Sequence, residues 1–228
     1  LLSGFIGIAI GDALYLAALQ RLGASRAGIA GMMYSPWVVL LSAWWLGESL
    51  SAGQWWGLLL VLAGLAIVAL AQTQQNHSQS APLSWSALGI AAAAMALMAA
   101  GIVIVKPVLE RAEFLTVVWY RVVAGTLPAA LWMLRPQVAT PLLSARAWQG
   151  VERWGLLITG CIAGTYIAMM LWLAGYKYAN ASVAAVLNES AALWIMLLAW
   201  LVLGDRLNPR QVLGAGVLAV GVVMVLLY

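Results

Sequence analysis

Two polar residues lie well inside a stretch of the chain that is otherwise almost entirely apolar. The stretch covers residues 180–203, and Asn188 and Glu189 lie about 12 Å past its polar start at the rise of an α-helix. A charged side chain at that depth of a membrane costs roughly 2.5–3.5 kcal/mol on insertion scales. We therefore expect Glu189 to be protonated, paired or in contact with water.

The sequence leaves two interpretations of Glu189 open. In the first, it lies between two halves of the molecule and pairs with a substrate or carries a coupling proton, because buried carboxylates can bind and release protons near neutral pH. In the second, it is protonated or hydrogen-bonded to Asn188 and only fixes the packing of helices. The first interpretation makes Glu189, with Asn188, the leading candidate for function.

Asp12 is a second acid in an apolar stretch, and Tyr15 follows it by about one helical turn. Facing a cavity, these two side chains could hydrogen-bond a polar substrate; alternatively, Asp12 is an acid at a helix end without a role. Trp172 and Trp194 lie deep in their apolar stretches, where they could stack on a substrate or pack in the core. The candidate binding residues therefore include Asp12, Tyr15 and Trp172.

Arg121 is the remaining candidate, because its guanidinium is effectively always charged. It lies only about two turns into its apolar stretch, so its side chain is expected to reach past Trp119 and Tyr120 to the lipid headgroups. The alternative is pairing with Glu189 or with a substrate carboxylate. That pairing would favour anionic or zwitterionic substrates.

The composition shows what must position these residues. Of the 228 residues, 65% are hydrophobic and 8% are charged, whereas a soluble domain carries about 25% charged residues. The chain is therefore predicted to be an integral membrane protein in contact with lipids. The net charge of +4 is spread over short loops, which argues against nucleic-acid binding. The only histidine, His77, lies in a polar linker, so neither a metal site, a cofactor nor an enzyme is predicted.

Apolar runs long enough to cross a bilayer, about 20 residues each, predict an all-α membrane bundle of about eight helices. The predicted spans are 1–19, 28–46, 55–71, 85–105, 115–134, 154–176, 182–203 and 212–227. Lys106, Pro107 and the charges after them are expected to form a solvated loop at the end of the fourth span.

The first three spans recur at the end of the chain. A shift of 157 positions, the distance from Glu48 to Asp205, aligns residues 1–70 with the C-terminal region without a gap. The recurring residues include Gly7 with Gly164, Trp37 with Trp194, Gln54 with Gln211, Gly57 with Gly214 and Gly64 with Gly221. Shared apolar composition alone would not preserve this spacing, so an internal repeat is predicted.

The repeat also predicts how the chain crosses the membrane. Two spans, 85–105 and 115–134, precede the C-terminal copy, so the complete unit has five spans. A unit with an odd number of spans must invert its second copy. Inverted repeats are typical of secondary transporters, which bind their substrate near the midplane between the halves.

Short motifs mark equivalent positions in the two copies. Each fourth helix of a unit opens with Ala-Ser and closes with Leu-Gly-acid, and a Gln-x-x-Gly helix start follows. The residues are Ala24-Ser25 and Ala181-Ser182, Leu46-Gly47-Glu48 and Leu203-Gly204-Asp205, and Gln54 to Gly57 with Gln211 to Gly214. Together with Arg121 early in its helix, this pattern resembles the EamA type of the drug/metabolite transporter superfamily.

The resemblance implies two five-helix halves, of which about eight of ten helices are present here. It divides the chain into a partial N-terminal half at 1–72, a linker at 73–84 and a C-terminal half at 85–228. It implies a transporter in the bacterial inner membrane that exports or exchanges a small amino-acid-like or drug-like metabolite by alternating access. A flippase for lipid-linked substrates or a non-transporting subunit is the alternative, and the sequence leaves a homodimer open.

Three further expectations concern the scaffold. Glu48 and Asp205 are expected to be turn or capping residues, and the segments from Gly57 to Gly64 and from Gly214 to Gly221 to allow close helix contact. Tryptophans near span ends are expected at the membrane interface. Orientation stays open, because arginines gather on the side that the family resemblance would place outside the cytoplasm.

Overall fold

The computed structural model describes residues 1–75, 85–134, 154–204 and 208–228, and within them every regular element is a helix. The helices are α1 Leu2–Leu22, α2 Ala24–Gly31, α3 Tyr34–Trp45, α4 Ala52–Gln75, α5 Trp85–Arg111, α6 Phe114–Met133, α7 Trp154–Tyr178, α8 Ala181–Asn188, α9 Ala191–Leu198 and α10 Pro209–Leu227. The last turns after α9, Ala199–Leu203, are π-helical.

The predicted membrane bundle is confirmed. Within the described residues, seven segments are long and apolar enough to cross a bilayer, counting α2 with α3 and α8 with α9 as single spans. The remaining predicted span, 115–134, corresponds to α6, in which the apolar stretch Phe114–Pro128 is shorter. This is an integral membrane protein.

The internal repeat is present in the helices themselves. Helices α2, α3 and α4 begin at Ala24, Tyr34 and Ala52, and α8, α9 and α10 begin 157 residues later in each case. Helices α1 and α7 both contain π-helical turns, at Phe5–Asp12 and Ile162–Ile167, which the same shift aligns. The two copies therefore share their helix starts and the position of this local irregularity.

Local hydrogen bonding explains why the recurring motifs use these residue types. Gly47 and Gly204 adopt positive φ angles of 69° and 70°, a left-handed conformation that glycine reaches without steric cost. The glutamines complete capping boxes: Ser51 N–H donates to Gln54 Oε1 at 3.0 Å, and Asn208 N–H donates to Gln211 Oε1 at 2.9 Å. The motifs thus end one helix and start the next.

Helices α4 and α10 form the central contact between the two copies. A Cβ on Gly64 would lie 2.6 Å from the Gly214 carbonyl oxygen, and one on Gly214 would lie 2.9 Å from that of Gly64. Gly57 and Gly221 approach each other in the same reciprocal way, at 2.9 and 2.7 Å. The predicted close contact through these glycines is present, and backbones this close leave no room for larger side chains.

Helices α5 and α6 pack against α1. Gly7 and Gly101 allow this approach, since a Cβ on Gly101 would lie 2.9 Å from the Gly7 Cα. The repeat counterpart of α1 is α7, whose described side chains in 154–167 are exposed. The sequence-based expectation of two further helices in the N-terminal half stays a prediction.

The structure corrects the expected loop after the fourth predicted span. Helix α5 continues through Pro107 to Arg111, and Lys106 is buried. Its ammonium bonds to Glu110 Oε1 at 2.5 Å and donates to the Ala179 carbonyl at 2.8 Å, so burial is compensated by an ion pair and a hydrogen bond.

The predicted polar linker lies mostly outside the described residues. Helix α4 runs to Gln75 and includes the first three residues of the predicted linker, while the rest, with His77, is not described. Asp205 also lies outside the described residues, as do several arginines of the charge bias, namely Arg135, Arg146, Arg153 and Arg206.

Candidate functional site

A cavity of about 830 Å³ lies between the two copies, in the size range of small-molecule sites. All six residues singled out from the sequence line it: Asp12, Tyr15, Arg121, Trp172, Asn188 and Glu189. Most of the remaining wall is apolar or glycine and includes Ile8, Met32, Leu65, Met95, Met98 and Met169. The cavity is therefore an apolar chamber with a few convergent polar groups.

The shape of the cavity follows the repeat, but its chemistry does not. Lining residues pair under the 157-residue shift as Gly7 with Gly164, Asp12 with Met169, Tyr15 with Trp172, Gly31 with Asn188 and Met32 with Glu189. The first copy contributes the polar residue Asp12, and the second copy contributes Asn188 and Glu189. The two acids therefore lie in different copies. A substrate held here would meet unlike chemistry on its two sides.

Breaks in two helices bring Glu189 to the cavity. The turn at Met32 and Met33 separates α2 from α3, and the turn at Glu189 and Ser190 separates α8 from α9. In both turns the amides bond three residues back, as from Glu189 N–H to the Val186 carbonyl at 3.2 Å. The second break forms without a counterpart to Pro36, so this tight turn does not depend on proline.

Ser35 contacts Glu189 across the boundary between the copies. Its hydroxyl is fully buried and lies within hydrogen-bonding distance of both Glu189 Oε1 and the Ala185 carbonyl, the latter at 3.1 Å. The carbonyl of Ala185 is the one that Glu189 N–H would bond in a continuous α-helix. The break thus frees an acceptor that Ser35 from the other copy satisfies.

The prediction that Arg121 reaches the headgroups is wrong. Only 3% of Arg121 is exposed, and its guanidinium donates to Ser3 Oγ and to the Gly101 carbonyl at 3.0 Å. It also lies over the Trp172 ring, 5.7 Å from the centroid. Close packing of α1 on α5 supplies these inward partners, so burial costs less than depth alone suggested.

Arg121 presents charge to the cavity as well as to its partners. Its Nε is buried without a hydrogen-bond partner in the described part of the chain, and the guanidinium attracts Asp12 electrostatically. An arginine fork with a free donor can bind a carboxylate or another anionic group.

Tyr34 and Tyr176 were not singled out from the sequence, yet they contact the same site. Their hydroxyls lie 3.0 Å apart in the core, and the Tyr176 ring packs edge-on against Trp172 with centroids 5.0 Å apart. Tyr34 lines the cavity. No spacing rule joins residues 142 positions apart, and an inverted repeat brings them together only through tertiary packing.

The copies are tied together on one side of the cavity. Ser42 Oγ lies 2.6 Å from Ser182 Oγ, and the Glu48 carboxylate accepts hydrogen bonds from Ala181 N–H at 2.8 Å and Ser182 N–H at 3.0 Å. Glu48 is therefore a capping residue, as predicted, but it caps α8 of the other copy. A carboxylate at a helix N-terminus is favoured by the free amides there.

The opposite side of the cavity is less closely joined. Helices α3 and α8 pack together, whereas their repeat counterparts, α9 and α2, make few contacts within the described residues. Gly164, in the exposed part of α7, borders the cavity there. Trp194 on α9 is 63% exposed, which contradicts its interpretation as a cavity or core residue.

Tryptophans near helix ends are exposed on the outer surface, as expected for a membrane interface. They are Trp44, Trp45, Trp55, Trp56, Trp85, Trp154 and Trp200. Within the described residues, no group of three or more histidine, cysteine, aspartate or glutamate side chains is arranged to hold a metal ion.

Comparisons with known proteins agree with this architecture. A solved crystal structure of a protein is similar to this chain: the match covers 99% of this chain and 75% of the other, with a TM-score of 0.77 and 21% sequence identity. This similarity shows the fold alone. None of the curated proteins matches the chain. The model of the EamA-like transporter family matches residues 1–70 and 85–227, and the chain therefore belongs to this family of membrane transporters in the drug/metabolite transporter superfamily.

Proposed function

We propose that this protein is a secondary transporter that moves a small organic metabolite across the bacterial inner membrane by alternating access. The observation that carries the proposal is the cavity between inverted copies, tied together on the Glu48 side and loosely joined on the other. In the opposite arrangement the Glu48 side would be open and the other side closed. Alternation between the two arrangements would expose the cavity to each side of the membrane in turn.

The lining favours a solute with an apolar body and both kinds of charge. Arg121 offers a buried donor to an anionic group, and Asp12 and Glu189 offer acceptors to an ammonium group. Trp172 and several methionines supply an adaptable apolar surface. An amino-acid-like zwitterion fits this set better than an uncharged solute, which would leave the buried charges without new partners.

Glu189 is proposed as the coupling group for protons. It lies where the copies meet, and its contact with Ser35 crosses from one copy to the other. Export and exchange are both compatible with a single cavity. The direction of solute movement would follow from the gradient of the coupled proton.

The purified protein, reconstituted into liposomes, tests the proposal with a panel of amino acids, organic cations and organic anions. Glu189→Gln should abolish uptake driven by a pH gradient and retain exchange of solute at equal pH, because the variant binds substrate without releasing a proton. Glu113→Gln, a change outside the cavity, is the matched control and should behave as wild type. Absence of flux for every solute would contradict the transporter proposal.

A flippase for lipid-linked substrates is the second candidate. The exposed wall at 154–167 favours it, because Gly164 and Ala168 line the cavity from a helix that faces the surroundings. Transfer of fluorescent lipids between leaflets, in liposomes that show no solute flux, would favour the flippase. We propose no enzymatic step, in keeping with a family whose members transport solutes.

A further inference from the structure

The hydroxyl of Ser35 has one proton and two acceptors. It is fully buried, and the carboxylate of Glu189 and the carbonyl of Ala185 both lie within its reach. A hydroxyl donates only one hydrogen bond at a time. The protonation state of Glu189 therefore decides which acceptor Ser35 can satisfy.

With Glu189 protonated, every group in this set has a partner. The carboxylic acid donates to Ser35 Oγ, and Ser35 donates to the Ala185 carbonyl. With Glu189 ionised, the acid can only accept, so Ser35 turns to it and the Ala185 carbonyl loses its donor. An unsatisfied carbonyl in a buried helix contact is unfavourable, and it lies where α3 packs on α8.

We propose that Ser35 is the positioning residue that converts proton binding at Glu189 into a change of contact between the two copies. The protonated acid strengthens the contact of α3 with α8 without preventing its opening, and the ionised acid weakens it. This inference deepens the proposed function and rests on it, because it assigns the proton to the step that closes one side of the cavity.

The repeat supplies an internal comparison. The 157-residue shift aligns Ser35 with Ala192 and Glu189 with Met32, so the equivalent turn in the other copy has neither the hydroxyl nor the acid. The hydrogen-bond choice is thus confined to one of the two turns, and the proton acts on one side of the cavity only.

Other titratable groups face Glu189 and must be separated from it. Asp12, Tyr15 and Arg121 share the cavity, while Tyr34 and Tyr176 interact with Glu189 electrostatically. Among these, Asp12 is the other carboxylate. The experiment is therefore repeated with Asp12→Asn added, and the pH dependence of labelling must be the same in that variant.

The test measures how readily a cysteine at Val38, which is fully buried on α3, reacts with a thiol reagent at different pH values. The protein carries Cys161→Ala and lies in lipid nanodiscs, and the probe is the proton itself. Any thiol reacts faster at high pH because its thiolate is the nucleophile, so each rate is divided by that of Tyr178→Cys, at an exposed position, at the same pH. We expect this ratio for Val38→Cys to rise about tenfold or more from low to high pH, as the Ala185 carbonyl loses its donor. In Glu189→Gln the ratio should stay at its low-pH value at every pH, because the contact then opens as it does in the protonated protein. In Ser35→Ala the ratio should be high at every pH.

Ser42→Ala is the matched control, because it removes another buried hydroxyl of α3 that crosses to the other copy without touching Glu189. Ser42→Ala should keep the pH dependence of labelling. Ser35→Thr should show it again where Ser35→Ala has lost it. Both variants must keep the elution profile and melting behaviour of the wild type. A labelling ratio that is equal at all pH values in Val38→Cys alone, or an unchanged pH dependence of the ratio when Ser35→Ala is added, would overturn the inference.

The two proposals fail separately. A pH-dependent contact in a protein that moves no solute would leave the role of Ser35 intact and remove the transport function. Proton-driven flux that is unchanged in Ser35→Ala, with labelling unchanged as well, would keep the transporter and discard Ser35 as its coupling residue.

Discussion

At the residue scale, sequence patterns identified the polar side chains but not their partners. Charged or amide groups in apolar stretches are conspicuous because placing them in a membrane costs free energy. This criterion identified Asp12, Arg121, Asn188 and Glu189. Their surroundings were hidden because depth along one helix says nothing about the neighbouring helix. The wrong prediction for Arg121 arose in this way, since Ser3 and Gly101 come from two other helices.

The hydroxyl pair of Tyr34 and Tyr176 provides a prediction at this scale. Tyr34→Phe should lower the free energy of unfolding by about 1–3 kcal/mol, because the buried Tyr176 hydroxyl loses its bonded neighbour. The double variant Tyr34→Phe with Tyr176→Phe should recover most of that loss, because neither hydroxyl is then left alone. Unfolding in mild detergent with added denaturant measures both values.

Tyr178→Phe serves as the control for the pair, because Tyr178 is 82% exposed and its hydroxyl is not in the core. Its stability should equal that of wild type. Strictly additive losses in the double variant would show that the two hydroxyls do not depend on each other.

At the element scale, helix starts and ends were the most predictable features. Leu-Gly-acid, Ala-Ser and Gln-x-x-Gly act through local bonds, such as the left-handed turn at Gly47 and the capping box of Gln54, so the sequence contains their cause. The breaks within the two crossing helices were less predictable. Pro36 lies close to the first break, whereas no proline lies close to the second. Tertiary contact with the other copy of the repeat therefore contributes to the second turn.

Glu48 gives the prediction for elements, because it belongs to one copy and caps a helix of the other. Glu48→Ala removes three accepted hydrogen bonds, from Ala181 N–H, Ser182 N–H and Ser182 Oγ. Loss of a helix cap costs about 1 kcal/mol or more. We expect faster thiol labelling of Val38→Cys on the Cys161→Ala background and a lower melting temperature.

Glu113→Ala is the comparison for Glu48, since the described hydrogen bond of the Glu113 carboxylate comes from nearby Thr116 on the exposed surface. It should leave the labelling rate of Val38→Cys unchanged. Equal rates for the two alanine variants would mean that Glu48 does not hold the copies together.

At the scale of the whole molecule, the repeat predicted the architecture because gapless alignment fixes both the starts of the helices and their order. It could not predict which side of the cavity is tied together, since the repeat gives equivalent helices to both sides. Among the described residues, α3 packs on α8 more closely than α9 packs on α2.

The contact of α4 with α10 supplies a prediction about the assembly of the two copies. Gly64→Ala and Gly214→Ala should each destabilise the protein by about 1–3 kcal/mol, because the added methyl group meets backbone atoms that cannot move aside. The melting temperature in detergent measures the change. Gly216→Ala, also on α10, should leave the melting temperature unchanged, since a Cβ at that position would meet open space.

Wild-type stability for Gly64→Ala, with Gly216→Ala equally neutral, would show that α4 and α10 are further apart than described. A loss in both would point to a general intolerance of α10 to side chains rather than to the specific glycine contact.

The cap that Glu48 places on α8 has a consequence for the energetic balance of the proposed alternating-access cycle. Three hydrogen bonds of about 1 kcal/mol each would bias a two-state protein by roughly a hundredfold toward the arrangement that contains them. A carrier stalls if one resting state is so much deeper than the other. The repeat pairs Glu48, Ala181 and Ser182 with Asp205, Ala24 and Ser25. In the proposed cycle, this second set of equivalent residue types would level that difference.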